Sequence, residues 1–409
     1  MPLRAEPKNY ETSLTGNNFT IAPDTDEIEV SIFGPGYGES ILLHVGFNNW
    51  FIIDSCIDPH SKAPMPLAYL EAINVNPAVS VRQIIATHWH DDHIRGLGQT
   101  FKACASAEFV LSSALNSDEF ITLAVAYNTR SMAEGIGSKE MWTVINEISD
   151  RKKNGATSSA PKFAIANLPL WRSSPGVTAS TRHLFKKIFK ALLRSSSGDS
   201  APTHACSIHA LSPSDTAVLA AKLDIAKLLP TDRAPKRALI ATSPNRAAVV
   251  IWASIGEYNI LLGADLEEIG DSSSGWTGIL NSSLRPSGRA TYFKIPHHGS
   301  ITAHNSDVWS NMLHAKPVAT LTPYVNGSTR LPTNADINRI SSLTNRAFAT
   351  TPPERTVTVK RRSGIVDKTI KETVRNIKQL YPSIGHVRMR VKPGGEERIE
   401  LFGSAYRLS

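Results

Sequence analysis

The feature that most constrains this chain is the segment 87–93, which reads Thr-His-Trp-His-Asp-Asp-His and contains three histidines and two aspartates. The residues before it, 81–86, are mostly apolar and predict a buried β-strand. Imidazole and carboxylate groups at the end of a strand are ligand types that suit zinc, manganese or iron. A polar loop that is merely rich in histidine is the alternative, but the spacing and the preceding strand favour a metal site.

The spacing within this segment indicates how the ligands are shared between two metal ions. Side chains two positions apart in an extended loop point the same way, so His88 and His90 can hold one ion. Asp92 and His93 are adjacent and point differently, which lets them reach a second ion nearby. The segment therefore predicts half of a two-metal site, in which a bridging water becomes a hydroxide near neutral pH.

Composition places the chain among soluble globular proteins. It has 409 residues, of which 41% are hydrophobic and 20% are charged, and it contains no apolar run long enough to cross a bilayer. The N-terminal residues are polar and lack the apolar core of a signal peptide. The three cysteines, Cys56, Cys104 and Cys206, are scattered and lack metal-type spacing. We therefore expect a cytoplasmic protein with no membrane partner.

The excess of positive charge indicates which kind of binding partner the chain favours. The formal net charge is +8 and the isoelectric point is near 9.3. Basic surfaces attract polyanions because binding releases counterions from phosphate groups. An ordinary solvated lysine face is the alternative explanation of the same excess.

The order of predicted elements suggests one large domain with additions. We expect a lead-in over 1–25, a hydrolase domain over 26–352 with an insertion or cap at 104–205, and a basic extension over 353–409 that ends in a β-hairpin. Within the insertion, residues 181–194 place apolar side chains at helical spacing and basic side chains elsewhere. They predict a basic amphipathic helix, either a phosphate-backbone contact or a core-packed helix with a solvated face.

Two later segments can complete a metal site. Asp265 ends an apolar strand behind a glycine, where a carboxylate can bridge two ions. His298 follows another predicted strand and can hold the second ion with Asp92 and His93. Each signal is weak by itself, since strand ends often carry polar turn residues, but their order after the first motif strengthens both.

These motifs resemble the metallo-β-lactamase superfamily. The segments 260–267 and 294–300, Ile-Leu-Leu-Gly-Ala-Asp-Leu-Glu and Lys-Ile-Pro-His-His-Gly-Ser, look like those of its competence, DNA-internalisation branch. The resemblance runs from about residue 27 to 352. It implies an α/β fold in which two sheets and outer helices form an αββα four-layer sandwich, with the site at one edge of both sheets.

The resemblance also implies roles for single residues. Asp54, at the end of the third strand, would hold the metal loop, residues 87–93, in place by contacting ligands on the side away from the ions. An aspartate that caps a turn is nearly as plausible there. Asp92 and His297 would be catalytic, with His297 facing substrate to stabilise phosphate charge or to protonate a leaving oxygen. Lys294, His297 and Ser300 are the candidate substrate contacts.

The sequence departs from that pattern at two places. A Pro-Gly-His turn of many superfamily members is here Pro-Ser-Asp at 213–215, so Asp215, His209, His204 or water is left to complete the first metal position. A late His-Pro of the branch is here Leu331-Pro332, which leaves one substrate contact open.

The function expected from these observations is metal-dependent hydrolysis of a phosphodiester. We expect two divalent ions, zinc or manganese, and a nuclease that acts on DNA or RNA. A small phosphodiester, such as a cyclic nucleotide or a phosphocholine-like group, is the alternative substrate. A carbonyl hydrolase of the lactamase or thioesterase type and a non-hydrolytic nucleic-acid-binding module are less favoured.

Overall fold

Two sheets of eight strands each form the framework of the protein in a computed structural model. The structure describes residues 19–34, 38–115, 136–153, 162–164, 186–194, 203–227, 244–283, 285–326, 329–352, 364–373 and 384–409. The strands of the first sheet, in spatial order, are β17 (Arg398–Phe402), β16 (Gly385–Val391), β1 (Ile28–Gly34), β2 (Ser40–Val45), β3 (Trp50–Ile53), β4 (Val81–Ala86), β5 (Glu108–Ser112) and β6 (Lys162–Ala164).

The second sheet has the same mixed character. Its strands, in spatial order, are β18 (Tyr406–Arg407), β15 (Ala347–Ala349), β12 (Leu313–Leu321), β11 (Ala290–Lys294), β10 (Tyr258–Leu262), β9 (Ile251–Ile255), β8 (Thr203–Ala210) and β7 (Lys186–Arg194). A separate two-stranded hairpin, β13 (Tyr324–Asn326) and β14 (Thr329–Leu331), follows β12. Parallel pairing of β3 to β6 and of β10, β11, β12 and β15 gathers carboxyl ends of strands at one edge of each sheet.

Helices connect these strands. They are α1 (Met65–Ala72), α2 (Pro77–Ser80), α3 (Asp91–Ile94), α4 (Leu97–Ala103), α5 (Ile136–Lys153), α6 (Asp215–Lys227), α7 (Gly275–Asn281), α8 (Ser306–Asn311), α9 (Asn334–Leu343) and α10 (Gly364–Thr373). No helix in the described ranges is long and apolar enough to cross a membrane.

Three apolar layers show how the sheets and helices pack. Side chains from the facing surfaces of both sheets, such as Val30, Phe51 and Tyr292, form the central layer. The outer face of the first sheet packs against α1 and α4. The outer face of the second sheet packs against α7, α8 and α9. This is the αββα sandwich expected from the sequence, because a sheet that is apolar on both faces must be covered on both.

The segment 104–205 extends the sandwich. Its described part contributes β5 and β6 to the first sheet and β7 to the second, together with α5. Glu140 of α5 accepts the backbone N–H groups of Gly96 and Gly98 at the start of α4, at 3.1 Å each. Arg151, three turns later on α5, donates to Phe101 O at 2.6 Å and Cys104 O at 3.3 Å at the other end. Helix α5 therefore holds both ends of α4, the helix that follows the metal loop.

The basic helix expected over 181–194 is wrong for the residues that the structure describes. Lys186–Arg194 is strand β7, paired antiparallel with β8 from Lys186 opposite Ala210 to Arg194 opposite Thr203. Backbone pairing with the edge of the sheet outweighs the local helical spacing, since an edge strand offers a row of unpaired N–H and C=O groups. The sequence also predicts a helix near 117–127, and that segment lies outside the described residues.

The two ends of the chain meet at the first sheet. Strand β16 pairs with β1 along its whole length, from Ile28 opposite Val391 to Gly34 opposite Gly385. Between them lies a buried ion pair in which Arg390 donates to Glu29 from Nε at 2.8 Å. Arg390 also donates to Ile21 O at 2.6 Å, so the described end of the lead-in lies against this network.

Candidate metal centre

Three segments at the carboxyl edges of the sheets bring four side chains together. Asp92 and His93 follow β4, Asp265 follows β10 and His298 follows β11. One ligand atom from each lies within 4.8 Å of the others. The side chains of His93, Asp265 and His298 are buried, whereas Asp92 is 21% exposed. We call these four residues the Asp-His cluster.

The distances within the Asp-His cluster fit one shared cation. Asp265 Oδ2 lies 3.4 Å from His93 Nε2 and 3.3 Å from His298 Nε2. Asp92 Oδ2 lies 3.4 Å from His298 Nε2 and 3.7 Å from His93 Nε2. Two ligand atoms bound tetrahedrally at about 2.0–2.2 Å from one zinc ion lie roughly 3.4 Å apart. Nε2 of His93 is also buried without a hydrogen-bond partner, as expected of an atom that binds an ion.

Hydrogen bonds fix the two histidines of the cluster. His93 Nδ1 is 2.8 Å from Asp54 Oδ2, and the same carboxylate accepts the Thr87 N–H and hydroxyl at 2.7 Å each. His298 Nδ1 lies 2.9 Å from the carbonyl oxygen of Thr322, so it carries the proton. These contacts leave Nε2 of each ring for the cluster. Asp54 thus supports the metal loop from behind, as expected.

His88 and His90 lie beside the cluster. The His88 ring centroid is 4.3 Å from that of His93 and 5.0 Å from that of His90. His88 Nδ1 contacts the Thr87 hydroxyl at 2.9 Å, and its Nε2 is buried and unpartnered. A second group of ligand atoms comprises Asp54, His88 and His93, but both Asp54 oxygens already accept hydrogen bonds. Within the described ranges, no such group includes His90.

The electrostatics of the site favour a positive charge within the cluster. Burial would raise the pKa of Asp265, but His298, His93 and Lys294 outweigh it and hold that pKa well below its usual range. Burial would lower the pKa of His298, but Asp265 and Asp92 raise it to about 10. The pKa of His88 is well below its usual value, mainly because of burial, so this ring is neutral. Metal binds the ionised carboxylate and the neutral imidazole, so an ion in the cluster would take the place of the proton that His298 holds.

Lys294 requires a correction. It was expected to contact substrate, but its side chain is completely buried. Its ammonium group donates to Glu39 Oε1 and to the carbonyl oxygen of Ala264, at 2.7 Å each, and lies 3.4 Å from Asp265 Oδ1. Lys294 therefore contacts the cluster from the protein interior and does not face solvent.

His297 lies next to the Asp-His cluster and outside it. Its Nε2 is 3.2 Å from Asn245 Nδ2, and its Nδ1 is 3.2 Å from Glu267 Oε1 and 3.1 Å from the Thr302 hydroxyl. Its side chain is 20% exposed. Protein groups thus contact both ring nitrogens. Asn245 could not be predicted as a neighbour of His297, because its segment contains no recognisable motif.

Ser300 and the residues considered for the first metal position are placed elsewhere. Ser300 is buried, and its Oγ accepts the Thr302 N–H at 3.2 Å as the cap of a short helix. Asp215 begins α6, and burial raises its pKa. His209 lies in β8 opposite Trp252. The His204 side chain lies outside the described part. None of these joins a described group of metal-ligand atoms.

Comparison with known proteins adds one structural likeness. No protein-family model and no curated protein matches the chain. Among solved structures, the chain is similar to the metallo-beta-lactamase fold protein YhfI from Bacillus subtilis, with 12% sequence identity and a TM-score of 0.34. The likeness covers 79% of this chain and 95% of that chain. The two sheets and their outer helices form the αββα layers that the sequence resemblance implies.

Proposed function

We propose that this chain is a metal-dependent hydrolase whose substrate is a phosphodiester, with DNA or RNA as the preferred class. The observation that carries the proposal is the Asp-His cluster, whose four ligand atoms are spaced for one cation. The resemblance of the segments 260–267 and 294–300 to the DNA-internalisation branch supports the choice of a nucleic acid. The net charge of +8 supports a polyanionic substrate.

The chemistry follows from the donor set. Divalent ions bound here would lower the pKa of water and neutralise negative charge on a reacting phosphate. Asp92 is the one exposed member of the cluster, so it marks the side from which a substrate approaches. His297 lies beside the cluster with a partly exposed ring that faces the substrate in this proposal. To donate a proton to a leaving oxygen, its Nε2 would exchange the contact with Asn245 for the substrate, while Glu267 holds Nδ1.

The position of His88 and His90 supports a second ion. The His88 ring lies next to those of His93 and His90, and His88 Nε2 is buried without a partner. Zinc and manganese both suit imidazole and carboxylate ligands. We therefore propose two ions, one in the Asp-His cluster and one at His88 and His90.

Cleavage assays test the proposal. Wild type and the Asp92→Ala/His93→Ala variant are incubated with linear DNA, circular DNA and RNA in Mn²⁺, Zn²⁺ or Mg²⁺. Bis-p-nitrophenyl phosphate is the small-substrate comparison. Asp91→Ala is the matched control, because Asp91 is adjacent in sequence but pairs with Arg95 and lies outside the cluster.

Each result has a distinct meaning. Metal-dependent cleavage of nucleic acid by wild type and by Asp91→Ala, lost in the double variant, supports the nuclease. Hydrolysis of bis-p-nitrophenyl phosphate alone overturns the nuclease and leaves a small phosphodiester as substrate. Absence of any metal-dependent hydrolysis by a folded wild type overturns the hydrolase itself.

A further inference from the structure

The ammonium group of Lys294 has no access to solvent and is surrounded by three acceptors. Glu39 Oε1 and Ala264 O accept its hydrogen bonds at 2.7 Å each, and Asp265 Oδ1 lies at 3.4 Å. A lysine ammonium has three donors, so these contacts use all of them. A fully buried lysine is rare in proteins unless it is paired, which indicates that the position needs a cation.

Glu39 is the partner that makes this buried cation tolerable. It is also buried, and its Oε2 has no hydrogen-bond partner, so its side chain is committed to Lys294. Its backbone N–H donates to Asp92 O at 2.7 Å. Gly38 permits this approach, because a Cβ there would lie 1.6 Å from Asp92 O. Glu39 therefore contacts Asp92 through its backbone and reaches Asp265 through Lys294.

The two oxygens of Asp265 have different surroundings. Oδ1 faces the Lys294 ammonium, whereas Oδ2 faces His93 Nε2 at 3.4 Å and His298 Nε2 at 3.3 Å. We propose that Glu39 and Lys294 are positioning residues that hold Asp265 so that Oδ2 is the oxygen presented to an ion in the Asp-His cluster. This inference rests on the proposed metal-binding function of that cluster.

The charges of Glu39 and Lys294 explain why the lysine beside Asp265 is paired with a second carboxylate. Without Glu39, the ammonium beside Asp265 would be an unpaired positive charge that repels a divalent ion. Glu39 offsets the charge of Lys294 and takes one of its strongest hydrogen bonds. The negative charges of Asp265 and Asp92 then remain for the cation. Partners of metal ligands typically change metal affinity by about 10–100-fold when they are removed.

A Co²⁺ titration of metal-free protein tests the inference without any substrate. Co²⁺ binding gives an affinity, by competition with a chelator, and a visible spectrum that depends on the number and geometry of the ligands. The variants are Glu39→Gln and the double variant Glu39→Gln/Lys294→Met. The double variant removes both charges together, so it leaves no uncompensated charge in the interior if the single variant does not fold. Urea denaturation of each metal-free protein measures folding separately.

The matched control is Glu29→Gln. It makes the same substitution in an equally buried carboxylate that pairs with Arg390 and contacts no member of the cluster. We expect this control to lower stability and to leave Co²⁺ affinity and the spectrum unchanged. We expect both cluster-side variants to bind Co²⁺ about 10–100-fold more weakly and with an altered spectrum.

Two other results overturn different statements. Wild-type affinity and spectrum in the folded double variant would overturn the positioning role of Glu39 and Lys294 and leave the metal centre standing. Failure of folded wild type to bind Co²⁺, Zn²⁺ or Mn²⁺ would overturn the metal centre, and the positioning role with it.

Discussion

Glu29 lies at the centre of a buried polar network at the paired strands β1 and β16 of the first sheet. Its Oε1 accepts hydrogen bonds from Ser31 at 2.6 Å and Tyr69 at 2.8 Å. Its Oε2 accepts Arg390 Nε at 2.8 Å. Both charged side chains are almost completely buried. In Glu29→Ala, the Arg390 guanidinium stays in the interior without this carboxylate.

The expected loss follows from that geometry. Removal of one member of a buried ion pair costs about 3–5 kcal/mol, because the other charge is left uncompensated. Glu27 Oε2 lies 3.9 Å from Arg390 Nε, too far to replace the lost hydrogen bonds. The cost would be a large share of a typical total stability of about 5–15 kcal/mol.

Urea denaturation followed by tryptophan fluorescence measures this loss, with linear extrapolation to zero denaturant. The variants are Glu29→Ala, Arg390→Met and the double variant, which form a double-mutant cycle. We expect the double variant to lose less stability than the sum of the single variants, since it removes both charges. Lys392→Ala is the control, because Lys392 pairs with Asp24 at an exposed position and should contribute little. A loss below about 1 kcal/mol in Glu29→Ala, or strict additivity, would refute the role assigned to this pair.

Three further substitutions test other parts of the structure. Arg151→Ala removes the donors to Phe101 O and Cys104 O, so we expect a loss of about 1–3 kcal/mol by urea denaturation; an unchanged midpoint would contradict the role of α5 in holding α4. Thr333→Ala removes the capping box of α9 and should cost about 1 kcal/mol, with recovery in Thr333→Ser; failure of serine to restore stability would argue against the cap. Thr87→Val removes the hydroxyl that contacts Asp54 and His88, and we expect Zn²⁺ affinity to fall about 10–100-fold by calorimetry; wild-type affinity would show that this support is dispensable.

The local signals in the sequence predicted much of the fold and the order of the site. An apolar strand before each polar motif placed Asp92, Asp265 and His298 at strand ends, and the structure brings them together. The sequence also predicts helices at 66–73, 138–150, 216–228 and 334–343, and α1, α5, α6 and α9 lie close to these positions, as does the closing hairpin. These predictions are correct because hydrophobic periodicity and turn residues act over short distances along the chain.

The predictions that were wrong concern residues whose structure depends on contacts between distant parts of the chain. The spacing in 181–194 fits a helix, and pairing with β8 makes its described part a strand. Lys294 has the sequence position of a basic residue near the site, and its burial follows from pairing with Glu39, which immediately precedes β2 of the other sheet. No local pattern contains this pairing, and none contains the contact of Asn245 with His297.

The pairing of β1 with β16 has a consequence for how the chain folds as it is synthesised. All four members of the Asp-His cluster leave the ribosome before β16, which is the partner that covers one edge of β1. Until then the Glu29 carboxylate has no guanidinium beside it, and the edge of β1 can pair with other strands. The four cluster residues are thus synthesised early, while the edge of β1 is covered only once β16 has been made. We therefore expect the whole sandwich to fold only after synthesis of β16, and truncations that remove β16 to yield aggregated protein.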